Sequence, residues 1–160
     1  MECWSCRSNS GEKRISPGAT IFDGQYWLVE HAYPVAVKGW LVIVLKRHVE
    51  ALHELASDEF AELAQIQAKL SRFLFEELSC EKEYVSCYAE AKHFYHIHFH
   101  VFAKPQNLSN DLKGGKSFAL IKVSVFSTLG LVTTSKKEHI SLMSFLESFF
   151  MIGVLTGYFI

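Results

Sequence analysis

The stretch of sequence that decides the fold is Tyr95-His96-Ile97-His98-Phe99-His100-Val101, where three histidines alternate with large apolar residues. Alternation of this kind predicts a β-strand, over residues 96–103, with one apolar and one polar face. Residues two and four apart share a face of a strand, so we expect three imidazoles in a row. Imidazole has an ordinary pKa of about 6.5, so at neutral pH it offers a lone pair to a metal or an electrophile. We therefore expect the function of the protein to reside here.

The composition is that of a globular domain with a hydrophobic core. The chain has 160 residues, of which 49% are hydrophobic and 21% are charged. The 16 Lys and Arg residues nearly balance the 17 Asp and Glu residues, and no long basic run occurs, which argues against a nucleic-acid partner. The N-terminus lacks the pattern of a secretory signal. We therefore expect a cytoplasmic protein whose four cysteines do not form a disulfide framework.

Outward from the histidines, the pattern predicts an α+β domain. Asp23-Gly24 between two short apolar runs predicts a β-hairpin, and the unbroken apolar run over residues 40–45 predicts a buried central strand. A helix is predicted from Ser57, with Ser57 as its cap and one apolar face that continues to Leu78. A further strand over residues 84–90 completes the set of predicted elements that precede the histidine strand.

The C-terminal part of the chain has a different character. We predict a further strand over residues 118–125, a final helix, and an apolar tail over residues 140–160 in which Glu147 is the only charge. The domain division predicted here is residues 1–123 for the main domain and residues 124–160 for the apolar extension. A membrane-spanning helix needs about 20 apolar residues. The uncharged stretch from residue 148 is shorter, so packing on the domain or on a partner subunit is favoured over membrane contact.

Cys3-Trp4-Ser5-Cys6 is a pair of cysteines with the spacing of either a zinc half-site or a redox dithiol. No strand precedes the pair, as a thioredoxin-like site requires, so zinc is favoured. Tetrahedral zinc needs two more ligands, which the histidine strand and His48 are able to supply. Cys80 and Cys87 are interpreted as small core residues.

The histidine stretch, together with Leu45-Lys46-Arg47-His48 and the long helix, resembles the histidine triad superfamily of nucleotidyl hydrolases and transferases. The N-terminal cysteine pair is similar to that of a bacterial, zinc-carrying branch, and the resemblance extends from Cys3 to about residue 123. It implies an α+β fold with an antiparallel sheet of about five strands that carries the long helix. It also implies a nucleotide substrate, such as a dinucleoside polyphosphate or a nucleoside phosphoramidate, and a homodimer.

The resemblance further implies roles for individual residues. His98 would be the nucleophile that attacks the α-phosphorus and holds a nucleotidyl intermediate. The main-chain carbonyl of His96 would hold the other ring nitrogen of His98, and His100 would bind the scissile phosphate or the leaving oxygen. A structural zinc ion would be held by Cys3, Cys6, His48 and His96.

Three departures from the family pattern concern the substrate. Trp40 follows Gly39 where many members have a supporting histidine. His31 stands where an acid usually contacts the ribose, with Glu30 adjacent. The small polar residues that usually bind phosphate before the triad are replaced by Ala91-Lys92-His93. The candidate substrate-binding residues are therefore His31, Lys92 and His93.

Two other hypotheses remain open from the sequence. The altered pocket is compatible with a nucleotide-binding module that has little or no catalytic activity. A catalytic metal held by His96, His98 and His100 is the third interpretation, although three ligands on one strand strain the short metal–nitrogen distances.

Overall fold

The computed structural model describes residues 2–120, except residues 17, 36 and 105. Its centre is an antiparallel five-stranded sheet with the strand order β1-β2-β3-β5-β4. The strands are β1 Phe22–Asp23, β2 Trp27–His31, β3 Leu41–Leu45, β4 Glu83–Ser86 and β5 His98–Ala103. The predicted α+β class and the number of strands are confirmed.

The long helix α2 (Ser57–Leu78) packs on one face of the sheet. Its buried apolar residues recur every three or four positions, as the sequence predicts: Leu63, Ile66, Leu70, Phe73 and Leu74. Ser57 is the first helical residue rather than the cap, so that detail of the prediction is wrong. The backbone N–H of Ala56 instead donates to the Glu59 carboxylate at 2.7 Å, which satisfies a free donor at the helix start.

The register of the sheet separates a helix-facing side from a histidine-bearing side. In β3, Leu41, Ile43 and Leu45 belong to the core with α2, whereas Val42 and Val44 are half-buried on the other side. His98 lies opposite Val44, and His100 lies opposite Val42. The two histidines therefore lie on the face that α2 leaves uncovered.

The start of β5 differs from the prediction. The strand begins at His98, not at residue 96, and the N–H of His96 donates to the carbonyl of Phe94 at 2.7 Å, as in a tight turn. Ile97 donates to the carbonyl of Val49 at 2.7 Å, which is a contact with a loop rather than with a strand. Because His96 precedes the strand, the strand does not determine the orientation of its side chain, as it does for His98 and His100.

Three features at the chain ends also differ from the prediction or fall outside the structure. A short helix α1 (Trp4–Asn9) contains the second cysteine of the N-terminal pair and was not predicted. The predicted strand over residues 118–125 is wrong at Phe118, which ends a 3-10 helix (Gly114–Phe118). Residues 119 and 120 are helical as well, while residues 121–125 of that strand, the final helix and the apolar extension of residues 124–160 lie outside the described residues. No helix among the described residues is long and apolar enough to cross a membrane.

Candidate active site and metal cluster

The imidazole of His98 is held in one orientation by the main chain. Its Nδ1 lies 2.7 Å from the carbonyl oxygen of His96, so Nδ1 carries the hydrogen and donates it. The lone pair of neutral His98 is therefore on Nε2. Burial lowers the pKa of His98, while the hydrogen bond to the carbonyl opposes that effect. The neutral form of the ring, which is the nucleophilic form, is thus favoured.

His100 is held by a side chain instead. The indole Nε1–H of Trp40 donates to Nδ1 of His100 at 3.1 Å. An indole nitrogen only donates, so Nδ1 accepts and the single hydrogen of neutral His100 is on Nε2. Burial, together with the nearby His98, lowers the pKa of His100 to about 3. The structure brings His98 and His100 together, with ring centroids 5.1 Å apart.

Two cavities meet at these histidines. A small cavity of about 90 Å³ and a large cavity of about 460 Å³ are both lined by Tyr33, Phe94, His98 and His100. The large cavity is also lined by three cationic residues from the N-terminal segment, Arg7, Lys13 and Arg14. A cleft that combines aromatic rings and cations beside two imidazoles suits a ligand with an aromatic base and phosphates.

Glu30 and His31 both line the small cavity, but they are positioned differently. Glu30 pairs with Val42 in the sheet and is 5% exposed. Its carboxylate accepts from Thr20 at 3.2 Å and forms an ion pair with Arg14 at 2.7 Å. The buried acid Glu30 therefore lies in this cavity next to His31, which the sequence predicts as a substrate-binding residue.

Lys92 and His93 are not among the described residues that line either cavity. Lys92 is exposed. His93 has a positive φ of 70° and its ring stacks on Trp4, with centroids 4.8 Å apart, on the side of the molecule that holds Cys3 and His48. Their chain neighbours Ala91 and Phe94 line the large cavity, and the predicted role of Lys92 and His93 in substrate binding stays a prediction.

Cys3, Cys6, His48 and His96 form a cluster in which one ligand atom from each residue lies within 4.8 Å of all the others. Nδ1 of His96 lies 3.5 Å from both sulfurs, and Nδ1 of His48 lies 3.4 Å from the sulfur of Cys6. Zinc–sulfur and zinc–nitrogen bonds of about 2.3 and 2.05 Å at a tetrahedral angle separate sulfur from nitrogen by about 3.5 Å. The donor set and its spacing therefore fit zinc.

The environment of the cluster also suits a cation. Nε2 of His96 lies 2.7 Å from the carbonyl oxygen of Leu45, so Nε2 carries the hydrogen and Nδ1 presents a lone pair to the sulfurs. Nε2 of His48 lies 3.3 Å from the carboxylate of Glu50. Burial and the neighbouring Cys3 raise the pKa of Cys6 to about 11. A thiolate at Cys6 at neutral pH therefore needs a positive ion beside it.

Contacts from the N-terminal segment and from the helix hold the cluster in place. The N–H of Trp4 donates to the carbonyl of His93 at 2.9 Å, and Asn9 donates to the carbonyl of Leu45 at 2.8 Å. Next to His48, Arg47 donates to both carboxylate oxygens of the buried Glu59, at 2.6 and 2.7 Å. Sequence reasoning did not assign a partner to Arg47.

A metal held by His96, His98 and His100 is not compatible with these hydrogen bonds. Both ring nitrogens of His96 are committed, one to Leu45 and one to the cysteines, and Nδ1 of His98 is committed to the carbonyl of His96. The metal-ligating group found in the described part of the chain is the Cys₂His₂ cluster.

Sequence reasoning missed several residues that line the site. The cations of the large cavity come from the short helix α1 and from the irregular segment that follows it, and no periodicity marks such residues as neighbours of His98. Glu30 was detectable, because β2 pairs with β3 and alternation places Glu30 on the same face as Val42. Trp40 was noticed as a departure, but its hydrogen bond to His100 depends on side-chain geometry.

Comparisons with known proteins agree with this arrangement. Residues 3–113 match the family described as "Scavenger mRNA decapping enzyme C-term binding". A zinc-bound histidine triad family protein from Mycobacterium smegmatis has a TM-score of 0.62 at 15% identity, covering 94% of this chain and 96% of that one.

Two other solved structures have similar folds. A hypothetical histidine triad nucleotide-binding protein from Sulfolobus tokodaii has a TM-score of 0.59 at 15% identity, covering 91% of this chain and 90% of that one. A HIT family hydrolase from Legionella pneumophila has a TM-score of 0.52 at 21% identity, covering 68% of this chain and 98% of that one. A search of curated proteins finds no match.

Proposed function

We propose that this chain, which belongs to the family described as "Scavenger mRNA decapping enzyme C-term binding" and has the fold of histidine triad proteins, is a nucleotidyl hydrolase or transferase that forms a covalent intermediate on His98. The substrate is a nucleoside phosphate derivative, either a dinucleoside polyphosphate or a nucleoside phosphoramidate. The observation that carries the proposal is the 2.7 Å hydrogen bond from Nδ1 of His98 to the carbonyl of His96, at the junction of two cavities. That bond leaves the Nε2 lone pair for attack.

In this reaction, Nε2 of His98 attacks the α-phosphorus and the bond from phosphorus to the leaving group breaks. The positive charge that develops on the ring is stabilised by the carbonyl of His96, which accepts a hydrogen bond from Nδ1–H. Water then attacks the phosphorus and releases a proton to the solvent, the phosphorus–nitrogen bond breaks, and its electron pair returns to Nε2. His100 donates its Nε2 hydrogen to an oxygen of the phosphate or of the leaving group.

The binding roles in this proposal are divided between the two cavities. His31 and Glu30 would contact the nucleoside in the small cavity, and the cations of the large cavity would contact phosphates. Lys92 and His93, which lie in the turn between two residues of the large cavity, Ala91 and Phe94, are retained as candidate substrate contacts.

The role of zinc in this proposal is structural. Cys3, Cys6, His48 and His96 would hold it, and the bound ion would join the N-terminal segment to the turn before β5. We further propose a cytoplasmic homodimer without a nucleic-acid partner, with residues 1–123 as the histidine triad domain and residues 124–160 as an extension of separate role.

The test is intact mass spectrometry after the protein is mixed with an adenylyl donor and rapidly quenched in acid, with wild type compared to His98→Gly. The expected result is an adenylyl mass increment in the wild type and none in the variant. His53→Gln, at an exposed histidine outside the site, serves as the control and should retain the increment. If folded, zinc-loaded wild type gives no increment with several donors, a nucleotide-binding module replaces the enzyme.

A further inference from the structure

The hydrogen bond between Trp40 and His100 has a role that the proposed reaction does not yet use. Trp40 is 1% exposed and its ring stacks on Phe102, with centroids 3.9 Å apart and planes 17° apart. Phe118 contacts both Trp40 and His100 edge to face, at 5.7 and 5.0 Å. Gly39 has a φ of +72°, and a side-chain Cβ there would collide with Leu78. These constraints leave the indole N–H little freedom to turn away from His100.

A donor in this position determines where the hydrogen of His100 lies. Trp40 supplies a hydrogen and accepts none, so a hydrogen on Nδ1 of His100 would face another hydrogen. The ring is consequently restricted to the neutral form with its hydrogen on Nε2. A neutral imidazole N–H is a good hydrogen-bond donor, but it is a far weaker acid than an imidazolium, so it transfers a proton poorly.

We propose that Trp40 is a positioning residue that keeps His100 a neutral donor and thereby restricts the site to leaving groups that depart without a proton. This inference rests on the proposed function and narrows its substrate class. Phosphoanhydrides, which release a phosphate anion, are the favoured substrates. Phosphoramidates, which release an amine, are disfavoured.

Phosphoanhydrides and phosphoramidates differ in whether the leaving group needs a proton when its bond to phosphorus breaks. When His98 attacks a phosphoanhydride, the electron pair of the broken phosphorus–oxygen bond stays on the departing phosphate, which is stable as an anion. When it attacks a phosphoramidate, the pair of the broken phosphorus–nitrogen bond leaves an amide anion, which requires a proton during departure. An imidazolium at position 100 would supply that proton, and the hydrogen bond from Trp40 opposes the formation of an imidazolium.

The cations that line the large cavity are an independent observation in favour of a phosphate leaving group. The cavity places Arg7, Lys13 and Arg14 beside the two histidines. Arg7 is paired with Glu2 and Glu12, and Arg14 is paired with Glu30, so the cations are held by acids that anionic phosphates are able to replace. A phosphate leaving group would find favourable charges there, whereas ammonia or an alkyl amine would not.

The test uses two substrates with leaving groups of the same size, the phosphofluoridate and the phosphoramidate of adenosine monophosphate. Fluoride departs without a proton and ammonia requires one. We expect wild type to cleave the phosphofluoridate with a kcat/KM larger by on the order of tenfold or more. Trp40→His allows position 100 to be protonated, so this ratio should fall by on the order of tenfold. Comparing the ratios of two proteins cancels the intrinsic reactivity of the substrates.

Tyr84→Leu is the matched control for loss of packing. It removes the ring that contacts Phe102 edge to face at 5.3 Å and leaves Phe102 stacked on Trp40, so it should lower the melting temperature without changing the substrate ratio. A ratio that moves equally in Tyr84→Leu and in Trp40→His would overturn the positioning role. Wild type that cleaves the phosphoramidate as efficiently as the phosphofluoridate would overturn the substrate class while leaving the proposed function intact.

A spectroscopic measurement on wild type tests the positioning role without any variant. Nitrogen-15 NMR of the histidine rings should show Nδ1 of His100 without hydrogen and Nε2 with hydrogen at neutral pH. Trp40→Phe should populate the other tautomer. A wild-type His100 that carries its hydrogen on Nδ1 would contradict the inference. Failure of the enzyme to act on either substrate would instead overturn the proposed function, and this inference with it.

Discussion

The histidine stretch has two regions that use the same side chain in opposite ways. His96 lies before the strand, is fully buried, and directs Nδ1 toward two cysteines because its Nε2 donates to Leu45. His98 lies in the strand and directs Nε2 toward two cavities because its Nδ1 donates to the carbonyl of His96. In each ring the acceptor of one nitrogen determines what the other nitrogen does.

The hydrogen-bond partner of one ring nitrogen thus decides the role of the other nitrogen. It makes His96 a candidate metal ligand that stabilises the fold and His98 a candidate reactive group. The region around His96 joins three separate segments of the chain, those of Cys3, His48 and the turn before β5. His98 and His100, in contrast, both belong to the continuous strand β5 and face the two cavities. We expect damage to the first region to lower stability and damage to the second to lower the reaction rate.

The largest effect is expected at His98. His98→Asn removes the nucleophile with little change in volume, so kcat should fall by at least about 10⁴-fold. Zinc content and melting temperature should stay close to those of wild type. The measurements are steady-state hydrolysis of the phosphofluoridate and metal analysis of the same sample. A variant that loses zinc together with activity would show that the two regions are not separable.

The next effect is expected in the cluster. Cys3→Ser combined with Cys6→Ser should abolish zinc binding and lower the free energy of unfolding by roughly 3–5 kcal/mol, because metal binding is coupled to folding. Metal analysis and urea unfolding measure the two quantities. Cys80→Ser combined with Cys87→Ser is the matched pair outside the cluster and should retain zinc. Zinc that persists in the first variant would contradict the assignment of the ligands.

A smaller effect is expected at the ion pair next to His48. Glu59→Gln leaves the half-exposed Arg47 without its carboxylate and should cost about 1–3 kcal/mol of unfolding free energy. The hydrogen bonds from Arg47 lower the pKa of Glu59, so this stabilisation is present above the ordinary pKa of a glutamate and is lost in acid. Urea unfolding at neutral and acidic pH measures it. Glu76→Gln, which removes an exposed carboxylate of α2, serves for comparison.

The last effect is measured as a change of slope and concerns the pH dependence of stability at His100. Its folded pKa of about 3 lies below the unfolded value of about 6.5, so between these values the unfolded chain binds a proton that the folded one does not. Unfolding free energy should therefore fall as pH decreases below about 6.5, by up to about 1.4 kcal/mol per pH unit from this group. His100→Gln should make the decline shallower. Equal slopes in the two proteins would exclude a neutral, buried His100.

Much of the fold was predictable, because its signals are local and periodic. The apolar face of α2 is recognisable within a few helical turns. The Asp23-Gly24 signal for the hairpin occupies only two neighbouring residues. The start of β5 was not predictable, since His96 continues the alternation of His98 and His100 in the sequence. The tight turn at Phe94 and the contact of Ile97 with Val49 end the strand there, and both depend on distant chain segments.

The site was predictable in its residue types and less so in its neighbours. The spacing of Cys3 and Cys6 and the resemblance to a known family pointed to the cluster that the structure contains. Arg47 was not linked to Glu59, and the cations of the large cavity were not linked to His98, because the partners lie in different elements and periodicity describes one element at a time.

The amino-acid sequence by itself determined the α+β class, the helix, the order of the strands along the chain and the identity of the candidate reactive side chains. These follow from the periodicity of apolar residues and from the chemistry of imidazole and thiol groups, which do not depend on the rest of the fold. The tertiary structure alone decided which nitrogen of each histidine is free, because that depends on whether the carbonyl of Leu45, the carbonyl of His96 or the indole of Trp40 reaches the other nitrogen. A hydrogen bond is directional and acts over about 3 Å, so only packing in three dimensions assigns it.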